Sequence, residues 1–141
     1  MKIFFDTNVY VAEALLGEVA EEMLEATARA SWRIYVSTYV LDEFERVMTE
    51  QLGCSARFAS LSRRRIVRRA GMVEPGASRH DVPDDTKDTP ILLAALEAGV
   101  DYLVTNDRHL LDLNPYEGVR IVSMTEYHGI LVSEGLIRRD S

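Results

Sequence analysis

The sequence predicts an α/β protein, a three-layer α/β/α sandwich around a mostly parallel central sheet. Three observations lead there. Short apolar runs alternate with longer segments of helical periodicity. No run is joined to the next by a two-residue hairpin turn, so neighbouring strands need crossovers and pair in parallel. The 141 residues suit a single domain, 1–141, that buries roughly two-thirds of its unfolded surface.

Taken in order, KIFF reads as a buried strand that ends at Asp6. NVYVAEAL is helical and breaks at Gly17. EVAEEMLEATARA follows, with Val19, Met23 and Ala26 on one face. RIYVS is the second strand. Ser37 suits the N-cap of TYVLDEFERVMTEQL, and Gly53 stops that helix. Ser55 caps ARFASLSRRRIVRRA, which Gly71 ends, with Phe58, Ile66 and Ala70 placed inward. MVEP is a third short strand, and residues 75–89, polar and rich in turn formers, read as a loop. PILLAALEA has Pro in its first turn and Gly99 past its end. DYLVT is the fourth strand and VRIVS the fifth. Ser123 and Glu126 have capping-box spacing and open MTEYHGI. Residues 131–141 carry no readable signal. Met72 and Met124 read as core fillers.

Composition narrows the function classes. With 47% hydrophobic and 28% charged residues, global disorder is excluded. The longest apolar runs, such as Ile91 to Leu96, fall far short of the ~20 residues a bilayer needs. No secretory signal is expected, because MKIFFDTN meets Asp6 before an apolar segment forms. The single Cys54 allows neither an intrachain disulfide nor a Cys-based zinc site within one chain, which fits a reducing cytoplasm. His80, His109 and His128 share no metal-ligand spacing. A net charge of −7 argues against nucleic-acid binding by the surface as a whole. The distribution is less simple: 14 of the 16 basic residues are Arg, and six of those lie between Arg57 and Arg69.

In parallel sheets, sites gather beyond the carboxyl ends of the strands. Asp6 ends strand one, and Asp107 follows strand four by two residues. Asp81, Asp84, Asp85 and Asp88 precede PILLAALEA, and Asp88 stands nearest the helix start, where the dipole favours an anion. Each Asp taken alone is equally explained as a turn former or a cap. In TYVLDEFERVM, Val40, Phe44 and Val47 form an apolar stripe. Glu43 lies about 40° from Val47 on its border, while Asp42 and Glu45 turn towards water. A Glu whose methylenes snorkel at a core edge would look the same. Together Asp6, Glu43, Asp88 and Asp107 make an all-carboxylate pocket that repels itself unless cations enter. Oxygen ligands suit Mg²⁺ or Mn²⁺. Such a pocket favours phosphodiester chemistry.

These residues resemble the PIN-domain family of metal-dependent nucleases, and more narrowly its VapC-type toxins of toxin–antitoxin pairs. The matching segments are FFDTNVYVAEAL, VSTYVLDEF and DDTKDTPILLAALEAGVDYLVTNDRHLL, in that order, over about residues 2–125. The resemblance implies that Asp6, Glu43, Asp88 and Asp107 are ligands of one or two Mg²⁺ or Mn²⁺ ions. Asp85 is the alternative in the third position. It implies that Thr105, and less directly Asn8, position water or a ligand. It also implies cleavage of single-stranded RNA, a small antitoxin that occupies the site, and a homodimer. A housekeeping RNA-processing nuclease would fit the same residues.

On a helix, Arg57, Arg64 and Arg68 fall within about 40° of one another. They could line up RNA phosphates beside the pocket, dock an acidic antitoxin segment, or form a solvated face. Two other classes compete. A haloacid-dehalogenase-type phosphatase needs a second Asp two residues after the first, where Asn8 stands. A non-catalytic scaffold for RNA or protein predicts a missing acid, and none is missing.

Overall fold

The computed structural model describes residues 1–74 and 89–138. Among these, five strands form one sheet in the order β3-β2-β1-β4-β5, and every neighbouring pair is parallel. The strands are β1 (Lys2–Phe5), β2 (Arg33–Val36), β3 (Ala70–Met72), β4 (Tyr102–Val104) and β5 (Arg120–Val122). The helices are α1 (Thr7–Leu15), α2 (Glu18–Arg29), α3 (Thr38–Arg46), α4 (Ala56–Arg69), α5 (Thr89–Ala98), α6 (Arg108–Leu111) and α7 (Met124–Ser133). Successive strand side chains point to opposite faces. Ile3, Phe4 and Phe5 are all buried, as are Tyr102, Leu103 and Val104, so helices cover both faces of the sheet. That is the α/β/α sandwich the sequence predicts.

Packing follows the predicted faces closely but not everywhere. Phe5 meets Tyr10 and Tyr127 edge-on, with ring centroids 6.0 and 5.5 Å apart. Tyr127 also shares a 2.6 Å hydrogen bond with the Thr27 hydroxyl. Ser37, Ser55 and Ser123 cap α3, α4 and α7, and the Ser123–Glu126 capping box is complete.

The inner face of α2 is Ala20, Met23, Leu24, Ala26 and Thr27, so Met23 and Ala26 face inward as expected, and Val19 is exposed. The predicted helix 38–52 is α only to Arg46. It continues as a π-helical turn, Val47–Gln51, closed by Leu52 N–H donating to Val47 O at 3.0 Å. The wider turn holds Met48 in the core. On α4, Ala59 and Ile66 point inward, which turns Phe58 out to solvent. β3 lies two residues earlier than MVEP. Ala70 pairs with Ile34 directly after α4, and Gly71, inside the strand, lies beside the Tyr35 ring. Met72 is consequently exposed at the sheet edge. Helix α6 was not signalled by a four-residue pattern, and α7 runs on to bury Leu131, with Ile137 beyond it.

The topology fixes where a site can form. From β1 the chain moves outward through β2 to β3, then returns to the other side of β1 for β4 and β5. The switch point is the crevice beyond the carboxyl ends of β1 and β4, the place where open α/β sheets hold ligands. Phe5 is in register with Val104, and Asp6 N–H donates to Val104 O at 2.9 Å.

Candidate active site

A cleft of about 250 Å³ opens at this switch point, lined by Asp6, Thr7, Asn8, Val11, Glu43, Val47, Ile91 and Asp107. Three of the four predicted carboxylates therefore face one space. Asp88 and the alternative Asp85 lie outside the described residues, as do Asp81, Asp84 and His80.

Asp6 and Asp107 each do local structural work as well. Asp6 is the N-cap of α1: its Oδ1 accepts from Thr7 N–H at 2.6 Å. Asp107 is the N-cap of α6, with Oδ1 accepting from His109 N–H at 2.9 Å. Capping and a place in the cleft thus fall to the same residues, since a helix N-terminus both needs an acceptor and favours an anion.

Thr105 is fully buried and joins the two acids. Its hydroxyl donates to Asp6 Oδ2 at 2.7 Å and accepts from Asp107 N–H at 2.9 Å. Asn8 Nδ2 reaches Asp6 Oδ2 at 3.3 Å and Thr105 Oγ1 at 3.5 Å. Asn8 Oδ1 accepts from Asn106 N–H at 3.4 Å, and Asn106 Oδ1 accepts from Met124 N–H at 3.1 Å. The β4–α6 loop is therefore pinned between α1 and the start of α7. Sequence reasoning missed Asn106, whose role depends on a contact 18 residues away.

Glu43 reaches the cleft from α3, and its Oε1 accepts from the Thr7 hydroxyl at 2.5 Å. Oε2 lies 3.8 Å from Arg46 Nη2. Asp42 and Glu45 point the other way but are not simply solvated: Arg63 Nη1 donates to both, at 3.0 and 2.6 Å. Burial works against the charge of Arg63, and these two acids outweigh it, holding the guanidinium above its ordinary range. The apolar wall of Val11, Val47 and Ile91 was also missed. Two of its members were within reach of the wheel, because Val11 stands four residues after Thr7 and Val47 four after Glu43.

The arginine run divides cleanly. Arg63 holds Asp42 and Glu45, Arg69 holds Glu13, and Arg65 lies near Glu13, Glu21 and Glu25. Arg57, Arg64 and Arg68 are exposed and form no ion pair among the described residues. Arg64 and Arg68 line a separate groove with Glu45, Ser60, Arg63 and Val67, and Arg57 is not part of it. Glu45 and Glu43 are about 200° apart on α3. Helix α3 therefore stands between the arginine groove and the cleft, rather than leaving the two side by side.

The donor set suits a hard divalent cation in kind, being carboxylate, hydroxyl and amide oxygen without thiolate or imidazole. Among the described residues, no three His, Cys, Asp or Glu side chains converge tightly enough to hold an ion by themselves.

A parallel sheet whose switch point opens on an acidic cleft defines an α/β/α protein built for a polar ligand. The family model described as PIN domain matches residues 2–109, and the chain belongs to the PIN-domain family. PIN domains are in general nucleases. Among solved structures, the chain is similar to one described as VapBC2 from Rickettsia felis bound to a DNA fragment from their promoter. The likeness has a TM-score of 0.65 at 15% identity and covers 87% of this chain and 98% of that one, which shows a shared fold. No curated protein matches the chain in sequence. No helix among the described residues is long and apolar enough to cross a membrane.

Proposed function

We propose that this chain is a metal-dependent endoribonuclease acting on single-stranded RNA, a single PIN-like nuclease domain that serves as the toxin of a toxin–antitoxin pair. The observation that carries the reading is the meeting of Asp6, Glu43 and Asp107 around one cleft at the switch point. Asp88 is the proposed fourth ligand, with Asp85 the alternative, around one or two Mg²⁺ or Mn²⁺ ions. Bound there, such ions supply Lewis-acid stabilisation of the phosphodiester and lower the pKa of a water in the cleft.

The chain's own residues do the rest. Asp6 is held on both oxygens, by Thr7 N–H on one and by Thr105 and Asn8 on the other, so its carboxylate presents a fixed edge to the cleft. Thr105 ties that edge to the Asp107 loop, setting the spacing of the two acids. Val11, Val47 and Ile91 offer an apolar wall to ribose and base faces, leaving the phosphate to the acidic floor. Arg57, Arg64 and Arg68, which form no ion pair among the described residues, hold backbone phosphates. With α3 intervening, the phosphates they hold lie along the strand from the scissile bond.

A small antitoxin protein is the proposed partner, supported by the shared fold with the VapBC2 structure. A cytoplasmic location and a homodimer complete the reading. The test is cleavage of a single-stranded RNA by the purified chain with Mg²⁺ or Mn²⁺. EDTA should abolish it and added metal restore it; full activity in chelator would overturn the proposal. Co-purification with the product of the adjacent gene tests the partner.

A further inference from the structure

Thr7 occupies an unusual position for a hydroxyl. It is the first residue of α1, where Asp6 already supplies the cap, so its side chain is free of the usual capping duty. It is also buried. Its two donors go to two carboxylates on different elements: the backbone N–H to Asp6 Oδ1 at 2.6 Å, the hydroxyl to Glu43 Oε1 at 2.5 Å. Among the described residues, the Glu43 carboxylate is also approached by Arg46, 3.8 Å away on an exposed side chain, which is a weak restraint.

Glu is a long, rotamer-rich side chain, and fixing it costs conformational entropy. A carboxylate oxygen that accepts one hydrogen bond keeps further acceptor capacity, so Oε1 can be held by Thr7 and still face a cation. We propose that Thr7 is a positioning residue: its hydroxyl orients the Glu43 carboxylate towards a divalent cation in the cleft while its N–H holds Asp6. The inference rests on the reading of Glu43 as a metal ligand. Partners that orient metal ligands are worth roughly 10–100-fold in metal affinity.

The test is Mn²⁺ titration of the purified chain followed by electron paramagnetic resonance of the free ion, with circular dichroism confirming the fold. Thr7→Val removes the hydroxyl at nearly constant shape and should raise the Mn²⁺ Kd by about 10-fold or more. Thr7→Ser keeps the hydroxyl and should stay within about threefold of wild type. In a Glu43→Gln background, Thr7→Val should add little, because its target has gone. Should Val not be accommodated at the first helical turn, Thr7→Ala carries the same expectation. Wild-type affinity in folded Thr7→Val, or the same loss with and without Glu43, overturns the positioning role alone. A wild-type chain that binds no Mn²⁺ overturns the metal-site reading and this inference with it.

Discussion

Replacing Glu13 with Gln removes one buried charge and leaves its partner in place. The Glu13 side chain is 4% exposed and that of Arg69 16%, and they meet in a bidentate pair at 2.6 and 2.6 Å. Burial alone would push the Arg69 guanidinium down, but the hydrogen bonds and charge of Glu13 overcome it and hold it above its ordinary range. Arg69 Nε is already buried without a hydrogen-bond partner among the described residues. Losing the carboxylate strips the remaining donors of their charged acceptor. Breaking one side of a buried pair costs about 3–5 kcal/mol. Gln retains a carbonyl acceptor and Arg69 some solvent, so Glu13→Gln should cost about 3 kcal/mol, the low end of that range. For a domain of this size the melting temperature should fall by roughly 10 °C. Arg69→Met leaves Glu13 with Arg65, 3.5 Å away and half-exposed, and should cost somewhat less. Glu13→Leu combined with Arg69→Met should recover most of the stability, because an apolar pair of similar volume avoids both desolvation penalties. Urea unfolding followed by circular dichroism measures the wild type, the two single variants and the double variant. A cost under about 1 kcal/mol for Glu13→Gln, or a double variant less stable than Arg69→Met alone, would refute the account of a buried, mutually dependent pair.

Asp6→Asn, Asp88→Asn and Asp107→Asn should each remove most ribonuclease activity, measured as initial cleavage rate at saturating Mg²⁺; an active Asp88→Asn beside a dead Asp85→Asn would move the fourth ligand. Glu43→Gln should lose one or more orders of magnitude in rate, whereas Asp42→Asn, which pairs with Arg63 on the far side of α3, should stay near wild type. Arg64→Ala with Arg68→Ala should lower the log–log salt slope of RNA binding by roughly 1.4, read by fluorescence anisotropy; an unchanged slope removes these residues from the RNA path. Burial pushes the hydroxyls of Tyr10 and Tyr127 far above the ordinary 10.0, against the opposing effects of Arg69 and of the Thr27 hydrogen bond respectively. Both stay protonated in the fold while the unfolded chain ionises, so stability is intact below pH 10 and declines above it. The slope should be about 2.7 kcal/mol per pH unit for the two together, and urea unfolding between pH 9 and 11 would show a flat profile if the hydroxyls were solvated.

What the sequence made legible was what local chemistry decides. Ser37, Ser55 and Ser123 announce helix starts because a side-chain oxygen must meet an orphan N–H, and all three do so. Glu43 could be assigned a side of α3 because Val40 and Phe44 fix the rotation of that helix, and Glu43 does line the cleft. What stayed hidden depends on tertiary partners. Val19 satisfies the α2 period yet is left largely exposed. The π-helical turn after Arg46 has no propensity signature, because holding Met48 in the core decides it. Glu13 reads as one more acid on a helix, and only the arrival of Arg69, 56 residues later, makes it a buried charge. The same holds for Asn8 and Asn106, whose hydrogen bond spans 98 residues.

The central pairing of β1 with β4 also carries a consequence in time. Ile3 stands opposite Tyr102 and Phe5 opposite Val104, so the seam that creates the cleft joins segments 99 residues apart in the chain. Contacts of such sequence separation are slow to form. At translation rates of about 5–20 residues per second, roughly 5–20 s pass between the emergence of Asp6 and that of Asp107. Throughout that interval β1 offers an unpaired edge where β4 will lie, a surface that invites other strands. A ribosome-bound chain of fewer than about 105 residues holds Asp6 and Glu43 without Thr105 or Asp107. On the proposed reading, such a chain lacks the second half of its acidic cleft and cannot yet cleave RNA.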